Sequence, residues 1–427
     1  MEKKLKAELW DKMHYLFRDY NDRMVHVELQ YDYKINIEAL KTVLICFFEK
    51  EPVFHSSFTP NSVNPYWTVM PYHIDEILTV KNVSDSELEN EVNNFLTQYI
   101  PPESNVQMKV CVFNHNNKST LCIVENHMCM DGGDVKYFLK ALCKNYNDYI
   151  NKGISPIDFK SGTRSYDAVY SGFNGNEEKM AKNLYKNINE KDKHAFPLTK
   201  SDKNDKPFIA KRKLSEDMFF KIKQSGKKHG ATLNEMLLCA YFYSLYELGN
   251  YSVYDSISIS CAIDLRRHIS DTQDTGVTNH TAWMQCKIPE LGNNIFDTLQ
   301  YVVRSSTQFK KDKFMGLYGL PLLSLGYKLL PHSISEDIIK IGYSNPLVAM
   351  SNIGIIEVDK LKLENNEPSD GFISGAVKYK PFVLLSATTM RNIITLSMCV
   401  RGNDEDKKIV NRFFDLMEKN INLLIEQ

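Results

Sequence analysis

Between residues 178 and 207 the chain is dense in Lys, Asn, Asp and Glu and poor in apolar side chains. On both sides of that stretch, short β-type runs alternate with helical periodicities. A segment of this kind reads as an exposed connection between folded units. It constrains the architecture strongly, because a chain of 427 residues exceeds what a single hydrophobic core usually serves. Two globular units of mixed helix and strand, an α+β layer pattern, are therefore expected.

The apolar fraction of 43%, with 22 Phe and 23 Tyr, can fill two such cores. A formal net charge of -1 supplies no long-range field for nucleic acid or an anionic membrane, so neither is expected as a partner. The start, Met1 to Trp10, carries charges without the apolar centre of a signal peptide, and no segment is long enough to span a bilayer. A cytoplasmic protein is expected. Nine cysteines, an odd number without a C-x-x-C pair and mostly inside apolar runs, fit reduced, buried thiols.

In the first unit the patterns give a strand over 24–31 and a helix from Ile37 with Leu40, Val43, Leu44 and Phe47 on one face, closed by Glu51-Pro52. A strand over 53–58 and a turn-rich connection over 61–66 follow. Ser84 and Glu87 form a capping box for a helix to about Tyr99, and the Asn-rich stretch 114–118 joins strands 108–113 and 119–124 as a hairpin. In the second unit Thr232 and Glu235 cap a helix over 231–248 whose Leu233, Leu237, Ala240, Tyr241, Ser244, Leu245 and Leu248 face inward. Strands are expected over 256–263, 282–288, 347–352, 383–389 and 393–400, the last two as a hairpin about Met390-Arg391-Asn392. Helices are expected over 295–308 and 322–330, with a terminal one opened by Asn403-Asp404-Glu405-Asp406, its acids at the positive end of the dipole.

The chemistry concentrates at one junction. The apolar run 121–124 leads into the turn Glu125-Asn126-His127-Met128-Cys129-Met130-Asp131-Gly132-Gly133-Asp134, and a helical pattern with Val135, Phe138, Leu139, Leu142 and Tyr146 begins at once. His127 thus sits where strand becomes helix, a place that can hold a general base rigidly against a cleft. Spacing alone equally allows a polar strand-end residue bonded to backbone. Asp131 fits an N-cap of the helix. Cys129, between Met128 and Met130, reads as a packed side chain more than a nucleophile. No H-E-x-x-H or Cys-His cluster suggests a metal, Gly132-Gly133 lacks a phosphate-loop pattern, and no G-x-S-x-G elbow is present.

The stretch from Asn126-His127 to Asp131-Gly132 resembles the HHxxxDG signature of the chloramphenicol acetyltransferase-like superfamily, which includes non-ribosomal peptide condensation domains and alcohol O-acetyltransferases. Other segments fit in order: Trp10 with 53–58, like the family's opening strand and "hPxxRxxF" region; 230–237, like its "GxTxNDxL" helix; Ile263-Asp264-Leu265-Arg266-Arg267, like its "DLR" strand end; and Ser351-Asn352-Ile353-Gly354, like its "SNxG" strand. The resemblance spans nearly the whole chain. Asn126 stands in place of the first histidine and Asp134 where small or hydroxyl residues are common. The absence of DFGWG sets aside the plant branch, leaving the stand-alone alcohol acetyltransferase-like branch as the nearest.

The resemblance implies two similar lobes with mixed sheets flanked by helices and a tunnel between them: a lobe over 1–180 carrying the motif, a charged linker over 181–206 and a second lobe over 207–427. It implies His127 as general base, with Asp131 and Gly132 structural beside it and Asp131 paired with Arg266, or second with Arg267. Asn126, Gly133, Ser351 and Asn352 are placed as substrate contacts. The backbone N–H groups of Gly132 and Gly133 would approach the reacting carbonyl, although helix-entry chemistry explains both glycines equally. No metal and no bound cofactor are implied. The activity implied is transfer of a short acyl group from acyl-CoA to a small-molecule alcohol or amine. One alternative is a free-standing condensation enzyme taking a phosphopantetheine thioester from a carrier protein, and another is a non-catalytic two-lobed binding relative.

Overall fold

Turn chemistry builds the first sheet. In the computed structural model, which describes residues 2–61, 63–153, 157–160, 162–270 and 275–426, Asn116 takes a φ of 51° between strands Met108–His115 and Lys118–Asn126. Asparagine tolerates this left-handed conformation better than most side chains. The hairpin lies in a five-stranded mixed sheet ordered Asp370–Ser374, Met24–Tyr31, Lys118–Asn126, Met108–His115, Leu78–Asn82. Alternate residues serve two cores. Val25, Val27 and Leu29 pack with Leu40, Leu44 and Phe47 of helix Ile37–Lys50 and with Phe138 and Leu142 of helix Gly132–Lys152. Met24, Cys122 and Val124 pack on the other side with Val92, Phe95 and Leu96 of helix Asp85–Leu96. Both faces are covered, and Met24–Tyr31 still alternates, with His26, Glu28 and Gln30 on the face opposite Val25, Val27 and Leu29.

The second sheet has seven strands. It runs Thr281–Ile288, Ile257–Asp264, Val348–Ile356, Val383–Met390, Ile393–Gly402, and both Lys378–Tyr379 and Lys206–Leu214 pair with the last of these. Arg391 and Asn392, with φ of 49° and 61°, close the expected hairpin with two left-handed residues in succession, as a tight turn between twisted strands requires. Helix Leu233–Gly249 lies against helices Ile295–Lys311 and Asp404–Ile425. Its expected single inward stripe is too narrow: Met236, Leu238, Cys239 and Phe242 are buried as well, because neighbouring helices cover its outer side.

Three expectations are corrected. Residues 53–58 do not form one strand: Pro52–His55 is a 3₁₀ turn and only Ser56–Thr59 is extended, consistent with a proline that lacks an N–H and holds a helical φ at the start of a helical turn. Trp10 lies on helix Leu9–Leu16 and not on an opening strand. The charged stretch is less exposed than its composition suggests, for Phe196 is buried and Asp192 accepts hydrogen bonds from Leu347 N–H at 2.9 Å and Ser258 Oγ at 2.7 Å. One face of this stretch lies on the second sheet.

Strand Asp370–Ser374 comes from the second half of the chain yet forms the edge of the first sheet, antiparallel to Met24–Tyr31. The chain then returns to the second sheet at Lys378–Tyr379. Gly371 faces the backbone of its partner so closely that a Cβ there would sit 2.5 Å from the Glu28 carbonyl oxygen. Gly371→Ala is expected to destabilise the full chain by about 1–3 kcal/mol in urea denaturation; unchanged stability would contradict this docking.

Candidate active site

The turn after Lys118–Asn126 is tied by its own side chains. Asn126 is fully buried, donates from Nδ2 to Gln107 Oε1 at 2.8 Å, and accepts the Met128 N–H on Oδ1 at 3.1 Å. Both ends of its amide are used within the scaffold, and it does not line the cleft. The expectation that Asn126 contacts substrate is thereby corrected: it shapes the turn.

His127 is anchored through its backbone from two sides. Its N–H donates to the Arg23 carbonyl at 2.8 Å, and its carbonyl accepts from Asn279 Nδ2 of the second half at 2.7 Å. The ring stacks on His14, with centroids 4.5 Å apart and planes at 28°. Nδ1 is buried without a well-aligned hydrogen bond, while the side chain keeps an exposed edge on a cleft of about 200 Å³. That leaves Nε2 as the nitrogen available to the cleft. Burial pushes the pKa of His127 below its usual value, opposed by the Asp131 charge. Burial, then the neighbouring His127, pushes His14 further down. Both rings are neutral at pH 7.

Asp131 connects this turn to the opposite half. As N-cap of helix Gly132–Lys152 its Oδ1 accepts from Gly133 N–H at 2.9 Å and Asp134 N–H at 3.0 Å. Its Oδ2 accepts from His280 N–H at 2.7 Å and from Arg266 Nη1 at 3.0 Å. Burial alone would raise this carboxyl's pKa, but Arg266 and the backbone donors outweigh it and hold it well below the usual range. Arg266 also meets Asp134 at 3.0 Å and Asp264 at 3.1 Å. Arg267 is exposed and directs Nη1 to Met315 Sδ, away from Asp131.

Asp134 has a place that its departure from the motif did not reveal. It pairs with Lys160 and accepts Thr278 N–H at 3.0 Å, while burial and then the Asp131 charge raise its pKa. Gly133 is where a side chain is excluded: a Cβ would lie 2.8 Å from Arg266 Nη1. Since its N–H is donated to Asp131, Gly133 does not offer that group to a carbonyl, and this part of the expectation is corrected. Gly132, Gly133, Ser351 and Asn352 all line the cleft. Asn352 stands at a bulge, bonded through Nδ2 to Asn234 Oδ1 at 3.1 Å and through Oδ1 to Gly354 N–H at 3.0 Å. Cys129 is fully buried with its thiol pKa pushed well up by burial, in keeping with a packed side chain.

The sequence reading missed Trp10, His14, Lys136 and Lys378 on the cleft wall. A signal existed for two of them, because Trp10 and His14 stand four apart on helix Leu9–Leu16 and share a face. Among the described residues no cluster of His, Cys, Asp and Glu could hold a metal, and no helix is long and apolar enough to cross a membrane.

A family comparison matches the condensation domain over residues 14–276, and the chain belongs to that family. Among solved structures, the first condensation domain of the calcium-dependent antibiotic synthetase, in complex with a substrate analogue, aligns with a TM-score of 0.68 at 10% identity, covering 99% of this chain and 97% of that one. The epimerization domain from the third module of tyrocidine synthetase B aligns at 0.67 and 11% identity, covering 100% and 97%. The TRI3 trichothecene 15-O-acetyltransferase from Fusarium sporotrichioides aligns at 0.65 and 11% identity, covering 98% and 96%. No curated protein matches the chain by sequence. The fold is the two-lobed one of the chloramphenicol acetyltransferase-like superfamily.

Removing Arg266 leaves buried Asp131 with backbone and hydroxyl donors but no cation, while Asp134 keeps Lys160. Arg266→Ala is expected to cost about 3–5 kcal/mol, and Asp131→Asn less, since Arg266 keeps two other carboxylates. Urea denaturation of both variants checks the order, and a costlier Asp131→Asn would contradict it.

Proposed function

We propose that the protein transfers a short acyl group from a thioester to an alcohol or amine, with His127 as general base. The observation that carries this reading is an imidazole fixed at the seam of the two lobes with one ring edge on an open cleft, and burial, by lowering its pKa, favours the neutral form that a base needs. A buried Nδ1 beside the carbonyls of His127 itself and Met130 keeps its proton, which leaves the Nε2 lone pair to the cleft. Nε2 takes the proton of the acceptor hydroxyl or amine as that atom attacks the thioester carbonyl. The C–S bond then breaks, and the proton passes to the departing thiolate. No covalent link to the enzyme forms. Asp131 does not touch the reacting atoms; with Arg266 it positions the turn that carries His127.

Purified protein mixed with acetyl-CoA and a panel of alcohols and amines, followed by free-thiol release, tests the reading. His127→Ala is expected to lower turnover by about 10²- to 10⁴-fold, and unchanged turnover would overturn the mechanism. Because the imidazole pKa lies below its usual 6.5, kcat/KM is expected to stay level from neutral pH upward and to fall only in acid below that value, as Nε2 becomes protonated. A limb centred above pH 7 would assign the base elsewhere.

Membership of the condensation family favours a second donor, an acyl group on the phosphopantetheine arm of a carrier protein. Turnover with a loaded carrier and none with acyl-CoA would establish it.

A further inference from the structure

The wall of the cleft contains a lysine, Lys378, whose charge the mechanism does not use. Lys378 follows the donated strand Asp370–Ser374, where the chain crosses from the first sheet to the second. Its backbone is held on both sides: it bridges to Asn21, pairs with Val400, and sits next to Val377, which exchanges hydrogen bonds with Asp22. A side chain on so fixed a backbone is set for binding before any ligand arrives.

The other charges on the cleft wall are committed. Asp131 and Asp264 are both paired with Arg266, and Lys136 Nζ donates to the Ile353 carbonyl at 2.8 Å. Among the described residues no carboxylate lies within ion-pair distance of Lys378. The acid whose field it feels most, Asp22, accepts from Met24 and Val377 N–H groups through Oδ1, and its burial raises its pKa to about 7, so its negative charge is incomplete at neutral pH. Burial lowers the Lys378 pKa to about 8, which still leaves the amine mostly protonated at pH 7. Lys378 makes itself felt at the reaction centre, where its charge helps to depress both His14 and His127. The cleft it lines also carries the apolar side chains of Trp10, Phe17, Trp283, Tyr343 and Leu384, together with the uncharged polar residues Asn21, Asn345 and Ser374. A partly desolvated ammonium in such surroundings has a large unmet demand for an anion.

Resting on the acyl-transfer reading of the site, we propose that Lys378 is the specificity residue of the cleft and seats a carboxylate carried by one of the two substrates, whose apolar body lies against the tryptophan-lined wall. Two of the three tryptophans, Trp10 and Trp283, line the cleft, so intrinsic fluorescence of the full chain reports binding without turnover. Titration with 3-phenylpropionate and with its neutral amide is expected to show the acid bound about tenfold more tightly. Lys378→Met erases that preference and Lys378→Arg keeps it. His127→Ala keeps it too while losing acyl transfer, so failure of the transfer reading and failure of the anchor are told apart. Matched donors, succinyl-CoA against butyryl-CoA, and matched acceptors, a hydroxy acid against its amide, then identify which substrate carries the anion: its rate advantage disappears in Lys378→Met. Equal binding of acid and amide to the native chain, a preference that survives Lys378→Met, or no saturable binding of either probe up to about 10 mM would overturn the proposal.

Discussion

A carboxylate withdrawn from water must be answered by charge and by hydrogen bonds, and Asp131 is answered from both halves of the protein at once. Its own helix supplies two N–H groups, while the segment about Arg266 and His280 supplies a guanidinium and a third N–H. Breaking one side would leave an uncompensated buried charge, a far larger loss than that of an exposed ion pair. The position of His127 follows from this junction, four residues earlier on the same turn. Asp11 and Arg164 make a second such knot nearby, joined by two hydrogen bonds at 2.8 and 3.0 Å, and Arg164 also reaches the carbonyls of Met128 and Val277. The turn that carries His127 is thus clamped from several directions by buried charge.

Much of the fold was legible because its strands are covered on both faces and its helices begin with capping residues. Met24–Tyr31 and the helix opened by Thr232 and Glu235 announce themselves by local pattern, and the structure closes both where the pattern ends. The elements that escaped notice lack that local signature. Lys206–Leu214 carries the sequence Lys-Pro-Phe-Ile-Ala-Lys-Arg-Lys-Leu, whose charges suit a sheet margin open to water and mask its extended character. Asp370–Ser374 is five residues long and owes its conformation to a partner more than 300 positions away, which no window along the chain can register.

The site divides in the same way. His127, Asp131 and the glycines stand together in one short segment, so their neighbourhood could be read directly. Asn126 and Asp134 were visible as departures from a motif, but their meaning is tertiary: one finds Gln107, the other finds Lys160 and Thr278. Lys378 gave no warning at all, since an isolated lysine near a Tyr-Lys-Pro stretch looks like any solvated cation. Only the crossing of the chain between sheets brings it to the cleft that His14 and His127 also line.

That crossing also bears on how such a molecule can be inherited. The outermost ribbon of the first sheet is encoded beyond most of the second, so the gene cannot be cut at the charged connection into two self-sufficient pieces. The upstream product would present the flank of Met24–Tyr31 unpaired, an adhesive margin open to foreign strands. The two sheets are laced like a shoe, and a cut at the charged connection would leave the lace on the wrong side.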